Sequence, residues 1–280
     1  MKIKFTKMQA YGNDYVYIDA INQKIEKPNE LARYVSDRHF AIGSDGMVMI
    51  CPSEVADFKM RMFNPDGTEG EMCGNALRSM SKYVYDHKFT DKTKLTIETL
   101  GGIQHVELFI KDGVAINIKA NIGEPRLSTK VIPVNTELEE FIERPVQILD
   151  RVFKISALSW GNPHCVIFLD DVDNFDVEKY GKAFPNKTNV TFAKVVNRNY
   201  IKIREWERGT GETIGCGTGC CTAAVFGVIT GRTDRKVTVE QIGGNLDVEW
   251  NEETNNVFMK GPSHTVFESE INIPDEGEDK

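Results

Sequence analysis

The sequence predicts an α+β protein built as two similar halves. Three observations carry that expectation. A strand, a Gly-Gly turn and a returning strand are spelled twice, as Leu95-Thr-Ile-Glu-Thr-Leu-Gly-Gly-Ile-Gln-His-Val-Glu-Leu and, 142 positions later, as Val237-Thr-Val-Glu-Gln-Ile-Gly-Gly-Asn-Leu-Asp-Val-Glu-Trp. Cys73 and Cys216 obey the same offset within one residue, and each is followed by Gly. Upstream, Tyr11-Gly-Asn-Asp-Tyr-Val-Tyr-Ile is echoed by Trp160-Gly-Asn-Pro-His-Cys-Val-Ile. Asn64 lies nine positions before Cys73 and Glu207 nine before Cys216, with Glu69 and Glu212 in register between them. Chance similarity of strand–turn segments does not keep four blocks in one order.

Taken along the chain, strands dominate. Alternating or β-rich runs predict strands over Lys2 to Phe5, Tyr15 to Asp19, Lys59 to Phe63 and Lys94 to Leu100, and a hairpin turning at Asp112-Gly113. A helix follows each repeated cysteine, from about Asn75 to Asp86 and from about Thr218 to Thr230, where Gly231 stops it. Gly123 and Pro125 break the pattern and place the join near Asn121 to Leu127. The predicted halves are 1–121 and 122–266, with 267–280 packing back onto the first and a charged, frayed tail over Asp275 to Lys280. Two such halves facing each other across a cleft offer a place for a ligand pocket, with repeated sites on opposite walls.

Composition narrows the function. In 280 residues, 40% are hydrophobic and 27% charged, an ordinary globular balance that buries a core without staples. The net charge of −8 and the scattered basic residues argue against nucleic acid or a membrane surface as partner. There is no run of about 18 apolar residues, so no membrane span is expected. Met1-Lys-Ile-Lys-Phe reads as a strand and not as a signal peptide. Cysteines at 51, 73, 165, 216, 220 and 221 form no regular framework, which points to free thiols in a reducing cytoplasm.

Cys73 and Cys216 stand apart from the other four. In Glu71-Met-Cys-Gly-Asn-Ala-Leu-Arg78 the cysteine precedes Gly, a capping-type Asn and then helix formers. Gly215-Cys-Gly-Thr-Gly219 repeats the plan, with Thr218 as the cap candidate. Helix-start amides and the helix dipole favour an anion, and they can lower a thiol's pKa from about 8.5 towards about 3.5–7.5. The same amides can hold a carboxylate. Inversion at an α-carbon needs a base on one face and an acid on the other, and a thiolate opposite a thiol supplies both. Amides aimed at the carboxylate would stabilise the carbanion-like transition state. Cys51, Cys165, Cys220 and Cys221 read as small buried hydrophobes. A metal site is not expected, because Cys216, Cys220 and Cys221 lack both a C-x2-C pair and a nearby His.

These residues resemble the diaminopimelate epimerase family. The carriers are Tyr11-Gly-Asn-Asp14, Asn64-Pro-Asp-Gly-Thr-Glu69, Glu71-Met-Cys-Gly-Asn75, Gly161-Asn-Pro-His164, Asn189, Glu207-Arg-Gly209 and Cys216-Gly-Thr-Gly219. They keep the family's order over residues 11 to 219, and the hairpins extend the match along nearly the whole chain. The resemblance implies two pseudo-symmetric domains, each a mixed, largely antiparallel sheet wrapped around a central helix, with the active site in the inter-domain cleft. It implies interconversion of LL- and meso-2,6-diaminopimelate on the lysine route, with no cofactor, a small diamino acid as partner, and a homodimer. Cys73 and Cys216 carry the acid/base roles. Binding roles fall on Asn13, Asn64, Asn162, Asn189, Glu207 and Arg208, and backbone roles on Gly74, Asn75, Gly217 and Thr218. His164, with Glu207, falls on a supporting position.

Bland readings stand beside these. Asparagines before Pro or Asp suit tight turns, and His164 after Pro163 suits a capped loop. Gly46 stands where many members carry a substrate-contacting Gln, and Pro65 and Gly70 replace commoner small residues. Racemases of histidine, diaminobutyrate or proline type remain alternatives. A proline-type substrate would leave the Glu207, Arg208 and Asn groups unpaired at about 1–3 kcal/mol each. A non-catalytic redox sensor, whose two thiols oxidise to a disulfide, is the alternative from another class.

Overall fold

The repeated hairpins fold in the same way because their patterns are the same. In the computed structural model, which describes residues 2–185 and 188–273, Lys94–Thr99 and Lys236–Gln241 share one alternation of buried and exposed positions. Each turns through two residues into its partner strand, with Thr99 opposite Gly102 and Gln241 opposite Gly244. The chain divides into two units, Met1–Ala120 with Gly261–Lys280, and Asn121–Lys260. The predicted tail, Asp275 to Lys280, lies outside the described residues.

In the first unit the elements are β1 (Lys2–Ala10), β2 (Asn13–Asp19), α1 (Pro28–Ser36), β3 (Met47–Cys51), β4 (Phe58–Phe63), β5 (Glu69–Gly70), α2 (Gly74–Asp86), β6 (Lys94–Thr99), β7 (Gly102–Lys111) and β8 (Val114–Gly123). The second holds β9 (Phe141–Ile148), β10 (Arg151–Ser159), β11 (Pro163–Phe168), α3 (Val177–Gly181), β12 (Asn189–Asn197), β13 (Tyr200–Glu207), β14 (Gly211–Thr213), α4 (Gly217–Ile229), β15 (Lys236–Gln241), β16 (Gly244–Trp250) and β17 (Val257–Gly261). The last strand, β18 (His264–Asn272), returns to the first unit and pairs antiparallel with β1, from Lys2 opposite Asn272 to Gln9 opposite His264.

The two sheets have one topology. The first runs β18-β1-β2-β3-β4-β6-β7-β8 and the second β9-β10-β11-β12-β13-β15-β16-β17. In each, the third and fourth strands are parallel, as are the fifth and sixth, and the other neighbours are antiparallel. The short β5 and β14 pair with β4 and β13. This is the mixed sheet expected from the repeat, extended by edge strands that the sequence blocks did not reveal.

Each sheet holds its own helix. α2 packs on β1, β2, β3, β4 and β7, and α4 packs on β11, β12, β13, β15 and β16. The run Gly219 to Gly227 of α4 is buried throughout, as a helix apolar on every face must be. α2 is buried along Asn75 to Met80, with polar Arg78, Ser79 and Ser81 inside. Ser79 meets Ser263 at 2.6 Å, so the segment leading into β18 is tied to the helix. The hairpin tip at Asp112-Gly113 has φ of 51° and 78°, the left-handed pair that a two-residue turn between right-twisted strands demands. Gly231, φ 72°, closes α4 through N–H bonds back to Val228 and from Arg232 to Gly227.

Candidate functional site

Both singled-out cysteines are N-cap residues. α2 begins at Gly74 and α4 at Gly217, and Cys73 and Cys216 hold the extended backbone that precedes the first turn. Their carbonyls accept the first helical bonds, from Leu77 at 2.8 Å and Cys220 at 3.0 Å. Neither side chain caps its own helix. The expected caps, Asn75 and Thr218, instead lie one residue inside the helices. The helices instead begin at Gly74 and Gly217, so each reaches back to its cysteine and leaves the sulfur beside the first-turn amides.

In the first unit, Cys73 is half-buried. Its thiol donates to Asn13 Oδ1 at 3.4 Å, and Asn75 Nδ2 reaches the same oxygen at 3.3 Å. The Asn13 amide is oriented from behind by Asp45 Oδ2 at 2.9 Å, and Asp45 is paired with Arg38 at 2.9 Å. Arg38 and a buried Lys7 also hold Asp14. Burial works to raise the Asp14 carboxyl, but its bonds to Arg38 and Lys7 prevail and keep it below the usual range. Burial pushes the Cys73 thiol up, against the opposing pull of the Ala76 and Asn75 amides and the Tyr15 hydroxyl.

In the second unit, Cys216 is buried, with Thr218 Oγ1 at 3.6 Å from its sulfur. Its own N–H donates to Gln241 Oε1 at 2.8 Å. Burial first, then the charges of Glu207 and Glu205, push this thiol well above its ordinary range, while Thr218 and the Gly219 amide pull the other way. The helix-start amides that can lower a thiol's pKa are thus opposed by burial at both positions. The amides do act on the sulfurs, but the low-dielectric surroundings outweigh them. Tertiary burial sets the sign, and no local motif encodes it.

Around Cys216 a buried chain of polar groups links several of the sequence-predicted residues. The Arg208 N–H donates to Asn189 Oδ1 at 2.8 Å, and Asn189 Nδ2 meets His164 Nε2 at 3.1 Å. Burial, then the Arg208 charge, lowers the His164 pKa to about 3, so the ring is neutral. With Nε2 accepting from Asn189, the proton sits on Nδ1, which faces Glu205 Oε1 at 3.7 Å. Glu207 Oε1 accepts from the Thr213 hydroxyl at 2.5 Å, and the Arg208 side chain is exposed. Asn189→Ala removes the partners of both the Arg208 amide and the His164 ring. We expect it to lower unfolding free energy by about 2–3 kcal/mol, read from a urea melt.

Other predicted positions are placed less centrally. Asn64 closes a turn, its Nδ2 on the Thr68 hydroxyl at 2.9 Å and its N–H on the Thr68 carbonyl at 2.8 Å, which is the turn chemistry that asparagines favour. The Asn162 carbonyl accepts from the Trp160 N–H at 3.1 Å. Glu69 and Glu212, in register in the sequence, each take a two-point pair from an arginine eight residues upstream, Arg61 and Arg204. Gly46 leaves no space for a Gln side chain. A Cβ there would lie 2.3 Å from the Phe63 carbonyl oxygen and 2.8 Å from the Tyr15 ring. Glu205 was not singled out by any motif. Its only sequence signal is a charged residue at an inward position of a strand pattern. Among the described residues, no cluster of three or more His, Cys, Asp or Glu is arranged to hold a metal ion. No helix there is long and apolar enough to cross a membrane.

The fold recurs in solved structures. A PhzF-family phenazine biosynthesis protein from Bacillus anthracis superposes with a TM-score of 0.71 at 21% identity, over 98% of this chain and 100% of that one. A hydroxyproline epimerase from Agrobacterium vitis gives 0.70 at 11% identity, over 96% of this chain and 91% of that one. At these identities the likeness concerns the fold alone. The duplicated scaffold, a cysteine at each helix start and the sequence relatives together define the class: an epimerase-type isomerase. The chain belongs to the diaminopimelate epimerase family, whose model matches residues 5–128 and 156–266. The diaminopimelate epimerase of Methanococcus maripaludis is 50% identical over 277 residues, covering 97% of this chain and all of that protein. That of Acetivibrio thermocellus is 49% identical, covering 97% of this chain and 99% of that protein.

Proposed function

We propose that this protein interconverts LL- and meso-2,6-diaminopimelate in lysine biosynthesis, by a two-base exchange without pyridoxal phosphate. What carries this reading is near-full-length identity of about half to diaminopimelate epimerases, in a chain that keeps a thiol at both repeated helix starts. Each unit supplies one half of the enzyme. One of Cys73 and Cys216 takes the α-proton as thiolate while the other returns a proton to the opposite face, and the roles exchange for the reverse reaction. Burial holds both thiols up, and the helix-start amides oppose it.

The amides of Gly74, Asn75, Gly217 and Thr218 bind the reacting carboxylate, whose charge grows towards the enolate in the transition state. Asn13, Asn64, Asn162, Asn189, Glu207 and Arg208 bind the rest of the substrate. The Arg208 guanidinium suits a carboxylate and Glu207 an ammonium, while His164 and Glu207 support Cys216. The enzyme works in the reducing cytoplasm, where both thiols stay free, and as a homodimer, a state that light scattering on the purified protein reads directly.

Turnover in deuterated water tests the reading. Product is expected to carry deuterium from the first turnovers while recovered substrate stays largely protiated. Exchange with no inversion, or inversion of proline or histidine in preference to diaminopimelate, would reject it.

A further inference from the structure

The Cys73 thiol faces a chain of side-chain amides whose direction is fixed at both ends. At the inner end the fully buried Arg78 donates to Asn75 Oδ1. A guanidinium can only donate, so Asn75 must give it the amide oxygen and turn its NH2 away. That NH2 donates to Asn13 Oδ1 at 3.3 Å. At the outer end Asp45 Oδ2 accepts from Asn13 Nδ2 at 2.9 Å and from the Asp14 N–H at 3.2 Å, while its Oδ1 accepts from Arg38 at 2.9 Å. A carboxylate can only accept, so Asn13 must turn its NH2 to Asp45 and its oxygen inward. Both ends thus demand one direction, Arg78 to Asn75 to Asn13 to Asp45. The Cys73 sulfur lies 3.4 Å from Asn13 Oδ1, the atom of that amide that cannot donate. The contact is favourable only with S–H as donor, since a thiolate there would face a lone pair.

The second unit does not fix the direction at the matching place. Cys216-Gly-Thr218 repeats Cys73-Gly-Asn75, and Thr218 Oγ1, 3.6 Å from the Cys216 sulfur, can donate or accept by turning its hydroxyl. We propose that Asp45 is a positioning residue for Cys73: it holds the Asn13 oxygen against the sulfur, so that Cys73 rests as the thiol and enters the exchange as the proton donor. On delivery the S–H bond breaks, its electron pair stays on sulfur, and the proton forms the new bond to the α-carbon. Asp45 acts here through Asn13 and not on the substrate. The delivery step rests on the epimerase reading; the orientation of Asn13 and its effect on Cys73 do not.

Two variants test this. Asp45→Ala removes the acceptor, and Asp45→Asn removes the charge but keeps one acceptor oxygen. In the Asn variant that oxygen must stay inward, because the Asn13 NH2 and the Asp14 N–H both need it there. The Asp45 side chain is 41% exposed, in the loop before β3, so both proteins are expected to fold. Alkylation by iodoacetamide across a pH series, without substrate and with each cysteine located by fragment mass spectrometry, follows the thiolate. In Asp45→Ala the midpoint of the Cys73 profile should move to lower pH, with Cys73 reacting about three- to tenfold faster at neutral pH and its alkaline plateau unchanged. Cys216 should keep the parent profile, and in Asp45→Asn Cys73 should stay within about twofold of the parent. With diaminopimelate, the alkaline limb of kcat/KM, which reports the free enzyme, should move to lower pH in the Ala variant alone. The proposal is overturned if the Cys73 profile in Asp45→Ala matches the parent's, or if Asp45→Asn shifts it as far, which would make the effect one of charge alone. It is overturned equally if Cys73 speeds up by the same factor at every pH, which is exposure and not thiolate stability. Because alkylation needs no substrate, failure of the diaminopimelate assay alone would count against the function and not against this orientation.

Discussion

Cys73→Ala and Cys216→Ala are each expected to abolish stereoinversion, with loss of at least about 10³-fold in kcat, while the protein stays folded. The size follows from the chemistry: without either thiol, one face of the α-carbon has no proton donor or acceptor. The fold should tolerate the change, because each cysteine contributes its backbone to the helix start and its side chain caps nothing. Circular dichroism and a thermal melt close to the parent's, together with flat polarimetry on either stereoisomer, make up the expected result. Inversion retained in either purified variant would remove that cysteine from the reaction.

Gly46→Gln is expected to destabilise the protein by about 3–5 kcal/mol, through two additive causes. The backbone φ of +153° is a glycine conformation. A Cβ would also press on the Phe63 carbonyl oxygen and the Tyr15 ring. The loop cannot move aside cheaply, since the Gly46 carbonyl accepts bonds from the Val16 N–H at 3.0 Å and the Ser44 hydroxyl at 2.8 Å. The Tyr15 ring that excludes the side chain also carries a hydroxyl that helps to hold the Cys73 thiol down against burial. Activity should therefore fall along with stability. A urea midpoint unchanged from the parent would show that the backbone adapts and that glycine is not required here.

Gly46 also shows where sequence reading stops. As a letter it marked a departure from relatives, but only the packed Tyr15 ring shows that no side chain fits. The repeat was legible because paired hairpins keep their alternation wherever they are written, and Leu95 to Leu108 and Val237 to Trp250 alternate in step. The return of the C-terminal segment to the first half was expected, but the pairing of β18 with β1 and the strand β9 were not legible, because β9 and β18 stand at opposite ends of the repeat in chain order and share no motif. For the site, both cysteines and the Asn189–His164–Arg208 grouping could be named from motifs. Glu205 could not, since its meaning depends on being buried against Gly219 across a strand–helix contact that has no fixed spacing. The thiol pKa directions were hidden for the same reason: burial is a property of the assembled sheet, whereas the helix dipole is local and was overweighted.

The strand that completes the first sheet carries one more consequence. β18 leaves the ribosome only after the whole of Asn121–Lys260. Until then the outer backbone edge of β1, nine residues long, has no ladder partner. During synthesis the earlier-made half therefore waits on the later one with an open template for strand addition, the state in which nascent chains associate with one another. Maturation of this protein should accordingly run back to front, with the later-made half settling first and the earlier one sealed last.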